Sequence, residues 1–193
     1  MMSKVSTMPE RWSYRPICHA YVYRTEKYVA CTSYDDYHGC YMSHTGWHIH
    51  GTEPGSEKWL GSNLRKSLLT SKQFNFTSKE WDKNASVTFR NTSVEIYQAT
   101  MCDIAKTYGY RSGSAAAAKA LCVAASYLKD GSGLIKLLAT NRKQGGVWDA
   151  IANNSNSLAV VKNIPIEATD EELGLAVREM LAISTLSGER VEM

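Results

Sequence analysis

Residues 56–71, SEKWLGSNLRKSLLTS, and residues 169–184, TDEELGLAVREMLAIS, are one helix written twice, 113 positions apart. Five of the sixteen aligned positions are identical: Leu60 with Leu173, Gly61 with Gly174, Arg65 with Arg178, Leu68 with Leu181, and Ser71 with Ser184. Ser56 over Thr169 and Glu57 over Asp170 keep a helix start, while Leu64 over Val177 keeps an apolar position. Thr169 and Glu172 have the spacing of a capping box, in which hydroxyl and carboxylate satisfy orphan backbone donors; the first copy keeps the cap, Ser56, and has Trp59 where Glu172 stands. Leu60, Leu64, Leu68 and Ser71, and likewise Leu173, Val177, Leu181 and Ser184, recur at i, i+4, i+8 and i+11, which lays one apolar stripe along each helix. A glycine inside a helix costs roughly 1 kcal/mol relative to alanine. Finding Gly61 and Gly174 at the same place in both copies predicts a close backbone approach, of helix to sheet.

Outward from these helices, each half shows the same order of elements. Residues 17–33, ICHAYVYRTEKYVACTS, alternate apolar and polar around Arg24 to Lys27 and predict a β-hairpin whose Tyr21, Tyr23, Val29 and Cys31 share one face. A Tyr-, His- and Gly-rich loop over 34–51 leads to a short strand near Trp47 to His50, then to the first helix. Residues 72–91 are polar with scattered aromatics (Phe74, Phe76, Trp81, Phe89) and read as a connection with local packing. Val94, Tyr97, Met101, Ile104, Ala105 and Tyr108 recur at helical spacing, with Gly109 as the stop. The alanine run from 114 starts as a short helical or irregular stretch and passes into a strand. A hairpin turns at Asp130 to Gly133. LAVVKNIPI, 158–166, is a further strand that Pro165 assigns to an edge or an end. The expected fold is α+β: two pseudo-repeated lobes, each a β-hairpin plus strand followed by a helix with a Leu-Gly start, around a mostly antiparallel sheet. The lobes are expected at about 15–72 and 93–186, joined by 73–92, in a single domain.

Composition excludes several classes. Apolar residues at 44% over 193 positions suffice for a core without crosslinks. Cys18, Cys31, Cys40, Cys102 and Cys122 are odd in number and lack CxxC spacing, which argues against a secreted disulfide framework or a zinc ribbon and for a reducing cytosol. The first twenty residues hold no apolar signal core, and no membrane-length apolar run occurs. The formal charge of +3 is uneven: residues 167–193 carry seven acids against Arg178 and Arg190, a local −5 that leaves +8 elsewhere. That acidic end is suited to a basic partner, although Asp170 to Glu172 also sit where a helix dipole favours acids.

The two helices, supported by the hairpin across Asp130 to Gly133 and by TNRKQGG at 140–146, resemble the immunity proteins of contact-dependent growth inhibition, the CdiI family. The first copy departs from the pattern at Trp59. The resemblance implies a cytoplasmic bacterial protein with no cofactor that catalyses nothing and forms a heterodimer with the C-terminal toxin domain of a CdiA effector. That toxin is commonly a nuclease, a tRNA-cleaving RNase being favoured, and neutralisation proceeds by covering its active site or substrate groove. Neither direct nucleic-acid binding nor a membrane is implied. Acids flanked by aromatics would meet a basic nuclease groove, which singles out Tyr34, Asp35, Asp36 and Tyr37, with Trp47 and His48 nearby. Charge reversal at Asp35 and Asp36 is then expected to weaken toxin binding more than reversal at Asp170 and Glu171.

Two rival readings compete. Cys31, His38, Cys40, His44, His48 and His50 crowd into twenty residues and are of the types zinc selects, so a metal site or metalloenzyme is one alternative; a polar aromatic loop is the other. Arg11, Trp12, Tyr14, Arg15, Tyr23, Arg24, Lys27 and Tyr28 mix cations with aromatics, as single-stranded nucleic-acid binders do, but no RNP-type signature accompanies them. No GxSxG, Walker loop, GxGxxG in strand-to-helix context or HExxH is present, and the glycine pair at 145 is too little to cradle a phosphate.

Overall fold

The computed structural model describes residues 17–36, 39–73, 83–129, 131–142, 148–150, 152–153 and 158–186. Strands β1 (Ile17–Arg24) and β2 (Tyr28–Asp36) form the first hairpin, followed by β3 (Cys40–Met42), β4 (His48–Thr52) and helix α1 (Glu57–Thr70). Helices α2 (Lys83–Tyr108) and α3 (Gly113–Ala118) lead to the second hairpin, β5 (Leu121–Leu128) and β6 (Leu134–Arg142). The short strands β7 (Trp148–Ala150), β8 (Ala152–Asn153) and β9 (Leu158–Ala159) precede β10 (Val161–Pro165) and α4 (Asp170–Ile183).

Among the described residues every strand pair is antiparallel, and the main sheet runs β10-β6-β5-β1-β2-β3, with β4 also on β2 and β7 also on β6. The hairpins meet at the centre through β1 and β5, where Ala20 faces Ala125. Strand β10 lies 113 residues after β4, the offset that separates the helices, and each pairs with the second strand of its own hairpin. The repeat is thus a β-hairpin, a third strand and a helix. Among the described residues β10 pairs with β6 only, so Pro165, which lacks a backbone donor, closes an edge strand.

Helices α1 and α4 cover one face of the sheet. Leu60, Leu64 and Leu68 join Leu173, Val177 and Leu181 in a core with Val22, Cys31, Val123 and Leu137, all fully buried; each large apolar side chain so buried contributes about 1.5–3 kcal/mol. The close approach predicted from the two glycines exists, but it is helix to helix. A Cβ on Gly61 would lie 2.7 Å from the Asp170 carbonyl carbon and 2.9 Å from the Gly174 nitrogen. One on Gly174 would lie 2.6 Å from the Glu57 carbonyl carbon. Each glycine therefore admits the first turn of the other helix.

The shared arginines and serines work in the same reciprocal way. Arg65 reaches Asp170 Oδ1 at 3.0 Å and the carbonyls of Ile166 and Ala168, and Arg178 reaches Glu53 Oε1 at 2.8 Å, Glu57, and the carbonyl of Gly55. Each arginine holds the approach to the opposite helix. At the helix ends, Ser71 accepts from His19 N–H and donates to the Tyr34 carbonyl, while Ser184 accepts from Thr140 N–H and donates to the Cys122 carbonyl. Each serine thus bridges the two strands of its own hairpin. The Thr169 and Glu172 capping box forms, and Ser56 caps α1 alone.

Helices α2 and α3 cover part of the opposite face, where Met101, Ile104, Ala116 and Ala117 pack on Tyr23, Tyr28, Ala30 and Cys122. This corrects the expected hairpin face. Tyr21 pairs with Thr32 and Val22 with Cys31, so Tyr21 and Tyr23 point toward α2 while Val29 and Cys31 point toward α1 and α4. The turn sets partners whose numbers differ by an odd count, which moves one strand's alternation by a step. The helix expected from residue 94 begins at Lys83, and Tyr34 to Asp36 belong to β2 rather than to a loop. Gly109, at φ 72°, ends α2 as expected, and Gly131 and Gly133, at φ 86° and 64°, shape the second hairpin turn.

Candidate functional site

The outer edge of β2 is covered by two collinear pieces, β3 against Tyr34 to Asp36 and β4 against Tyr28 to Thr32. Between them residues 43–47 make a tight excursion around Ser43, whose Oγ accepts from Gly46 N–H at 2.9 Å. Gly46 is required there, because a Cβ would come within 2.7 Å of the Ser43 Cβ. The excursion reaches both helix layers. On one side His44 stacks on Phe89 of α2 at 4.2 Å and donates from Nε2 to the Phe89 carbonyl. On the other, Trp47 Nε1–H donates to Asn63 Oδ1 at 3.0 Å, and Lys66 Nζ sits 3.2 Å above its ring.

Beside this edge lies a shallow cavity of about 170 Å³ lined by Tyr34, Cys40, Tyr41, Met42, Val94 and Tyr97. The Tyr34 ring leans on Tyr21 at 4.5 Å, its hydroxyl meets the Tyr23 hydroxyl at 2.8 Å, and burial pushes its phenol well above the usual range. The Cys40 thiol, on an exposed residue, is raised to about 11 by desolvation at the strand edge and by Asp36. Arg90 lies over Tyr41 at 5.6 Å. Aromatic faces with one cation beside them suit a binding surface, and among the described lining residues no base stands beside a nucleophile.

The sequence-derived contact residues divide. Tyr34 and Asp36 lie at this edge, Asp36 Oδ2 accepting from Gln73 Nε2 at 3.2 Å, and Trp47 is half-buried on the α1 side. Asp35 is turned inward at 1% exposure, with Oδ1 accepting the Lys72 N–H at 2.8 Å just beyond α1. His48 donates from Nε2 to the Ser43 carbonyl at 2.8 Å, and desolvation holds its imidazole below the ordinary value against the opposing pull of that bond and of Asp35. Tyr37 lies outside the described residues. The repeat positions Leu60, Gly61, Leu64, Leu68, Leu173, Gly174, Val177 and Leu181 are all buried. Sequence reading passed over Tyr41 and Met42, which a single chain could have flagged only as an aromatic beside a short strand, and it placed Val94 and Tyr97 in the apolar stripe of α2. Val94 is 50% exposed because that stripe runs past the layer it covers.

The cysteines and histidines considered for zinc do not converge. Cys31 is buried under α1, His44 stacks on Phe89, and His50 is hydrogen-bonded through Nε2 to Asp103 Oδ2 at 2.9 Å and through Nδ1 to the Tyr108 hydroxyl at 3.1 Å. Among the described residues no group of three could hold a metal ion; His38 lies outside them. Of the cation and aromatic set considered for nucleic acid, Tyr23 and Tyr28 are core residues and Arg24 is paired with Glu53 at 2.8 Å. Arg11, Trp12, Tyr14 and Arg15 lie outside the described residues, as do Phe74, Phe76, Trp81 and the glycine pair at 145. No described helix is long and apolar enough to cross a membrane.

A family model described as CDI immunity protein matches residues 18–184. A comparison with curated proteins finds no match. Among solved structures, a protein of unknown function from Neisseria meningitidis is similar with a TM-score of 0.68 at 15% identity, the alignment covering 90% of this chain and 98% of that one. A CdiA-CT/CdiI toxin and immunity complex from Yersinia pseudotuberculosis is similar with a TM-score of 0.67 at 15% identity, covering 86% of this chain and 96% of that one. At such identities the likeness is one of fold.

Proposed function

The chain belongs to the CDI immunity protein family, CdiI, and from that premise we propose that it binds the C-terminal toxin domain of a cognate CdiA effector as a heterodimer and neutralises it in the cytoplasm. The family match, which takes in both copies of the repeat, carries this reading, and the fold shared with a toxin and immunity complex supports it. Neutralisation works by occlusion: an interface of roughly 1,200–2,000 Å² in total covers the active site or substrate groove of a nuclease, a tRNA-cleaving RNase being favoured. The protein itself performs no catalysis and needs no cofactor. Of the contact residues proposed from sequence, Tyr34, Asp36 and Trp47 are assigned to the toxin, whereas Asp35 and His48 serve the fold.

Coexpression tests this. The open reading frame immediately upstream is expected to encode a large effector ending in a toxin domain. Producing that domain should arrest growth, and producing this chain with it should restore growth and inhibit tRNA cleavage in extracts. Arrest that this chain fails to relieve, with both proteins soluble, would remove the immunity reading. Rescue without any effect on nucleic-acid cleavage would keep immunity and remove the nuclease.

A further inference from the structure

The internal repeat gives a direct comparison of the two grooves that lie between an edge strand and a helix. In the first half, between β4 and α1, the groove is filled by Trp59. Its ring lies so close to the strand and the loop after it that a Cβ on Gly51 would approach within 3.2 Å and one on Gly55 within 3.4 Å. The 113-residue offset takes Gly51, Gly55 and Trp59 to Ile164, Ala168 and Glu172. Glu172 cannot act as a lid, because its carboxylate is drawn back to Thr169, accepting the backbone N–H at 2.8 Å and the hydroxyl at 2.9 Å. The groove between β10 and α4 is therefore open, with a volume of about 360 Å³. That size lies within the range of roughly 300–1,000 Å³ typical of sites that enclose small organic groups.

Its walls are Ile164, Pro165, Ala168, Leu175 and Ala176, and Leu175 stands 53% exposed at the mouth. Glu172 and Glu179 lie exposed in its lining, Glu167 and Glu171 are exposed nearby in sequence with Glu171 3.7 Å from Lys58, and Lys162, among the described residues the one cation lining the groove, is paired with Glu179. An apolar slot inside an acidic rim selects an apolar ring carried on a basic surface. We infer that the groove between β10 and α4 receives an aromatic side chain from a basic surface of the toxin domain, in the place that Trp59 fills from within the first half. The inference rests on the immunity reading and adds a second contact region, at the sheet edge opposite β3. A second copy of this chain is disfavoured as occupant, because isologous pairing would bring two acidic rims together.

The test uses the full chain and a catalytically inactive form of the toxin domain encoded upstream, with affinity measured by calorimetry and folding by thermal melting. Leu175→Lys puts a cation at the groove mouth on an exposed position, and Glu172→Trp supplies the ring that the first half already carries. Both are expected to weaken toxin binding by about tenfold or more, the loss of one anchoring side chain, with the Leu175→Lys melting midpoint close to that of the unaltered protein. Unchanged affinity in Leu175→Lys, beside tight binding by the unaltered chain, overturns the groove assignment and leaves the immunity reading standing. Absence of binding by the unaltered chain removes both. A self-dimer that Leu175→Lys dissociates, with toxin affinity unaltered, makes the occupant a second copy and overturns the proposal.

Discussion

Replacing Gly61 by alanine pits two effects of known size against each other. Helix propensity alone favours the substitution by about 0.8–1 kcal/mol. Against it, the new methyl group would stand 2.7 Å from the Asp170 carbonyl carbon and 2.9 Å from the Gly174 nitrogen, both backbone atoms that no side-chain rotation can move. The opposing helix is held in place by Arg65 through Asp170 and the two carbonyls before it, so α1 and α4 must separate against that clamp. Overpacking costs typically about 1–3 kcal/mol and occasionally more, and a backbone clash on a buttressed helix belongs at the upper end. The expected net result is a loss of about 2 kcal/mol. Gly174→Ala should behave alike. One widening of the same gap relieves both clashes, so the double variant should lose less than the sum, with a coupling of about 0.5–3 kcal/mol. Urea unfolding followed by circular dichroism reads this as a lower midpoint at constant slope, and melting should fall by about 2–4 °C per kcal/mol for a chain of this size. A Gly61→Ala protein as stable as the original, or strictly additive losses, would refute the reciprocal close approach.

Other expectations follow from single contacts. Asp35→Ala strands the Lys72 N–H beside a buried position and should cost about 1–3 kcal/mol in urea unfolding; charge reversal at Asp35 therefore perturbs folding, and Asp36→Lys is the informative half of that pair in a toxin titration. Arg178→Ala leaves Glu53, whose side chain is 4% exposed, with Arg24 as its remaining cation. The loss should reach about 3 kcal/mol, the low end for a broken buried pair, and Arg178→Lys should not restore it, since one ammonium cannot meet the Glu53 carboxylate and the Gly55 carbonyl in the arginine's fork geometry. His48 and His19 are both held below their ordinary value, chiefly by desolvation. The folded protein thus resists protons that the unfolded chain accepts, so stability is full above about pH 6.5 and falls as the pH drops below it. His48→Gln should flatten, without abolishing, the decline seen by urea unfolding between about pH 7.5 and about pH 5.5.

What could be read from sequence was whatever repeats along one element. The capping box, the apolar stripes and the glycine stop at Gly109 depend on neighbours within a turn or two, and all appear in the structure. Pro165 marked an edge because a missing donor has the same meaning in any sheet. What could not be read depends on register between elements. The offset between β1 and β2 decides whether Cys31 joins Tyr23 or opposes it, and a polar turn does not reveal that count. The same blindness sent the paired glycines to the sheet: a cleared patch on a helix shows that some backbone comes near and does not show which. Asp35 looked like a surface acid because its neighbours are polar, yet alternation along β2 turns it toward the backbone just past α1. The β3-side cavity was hidden because it joins the end of the α2 stripe to a three-residue strand more than fifty positions earlier.

Duplication also separates structural residues from candidates for recognition. Positions kept identical between the halves hold the frame: the glycines set the helix spacing, the arginines clasp the opposite helix, the serines bridge each hairpin, and the leucines fill the core. Such positions carry no information about a partner, because the same demands hold in both halves. The informative positions are those where the frame permits difference and the chain takes it. Trp59 and Glu172 occupy equivalent places on equivalent helices, yet one closes its groove and the other leaves its groove open. The 43–47 excursion between β3 and β4 stands where the second half carries β7 to β9, so the two sheet edges present unlike surfaces on a common scaffold. A protein that must recognise one toxin needs a rigid frame and a surface free to differ, and a repeat that keeps its helix spacing while its groove residues and sheet edges differ supplies both.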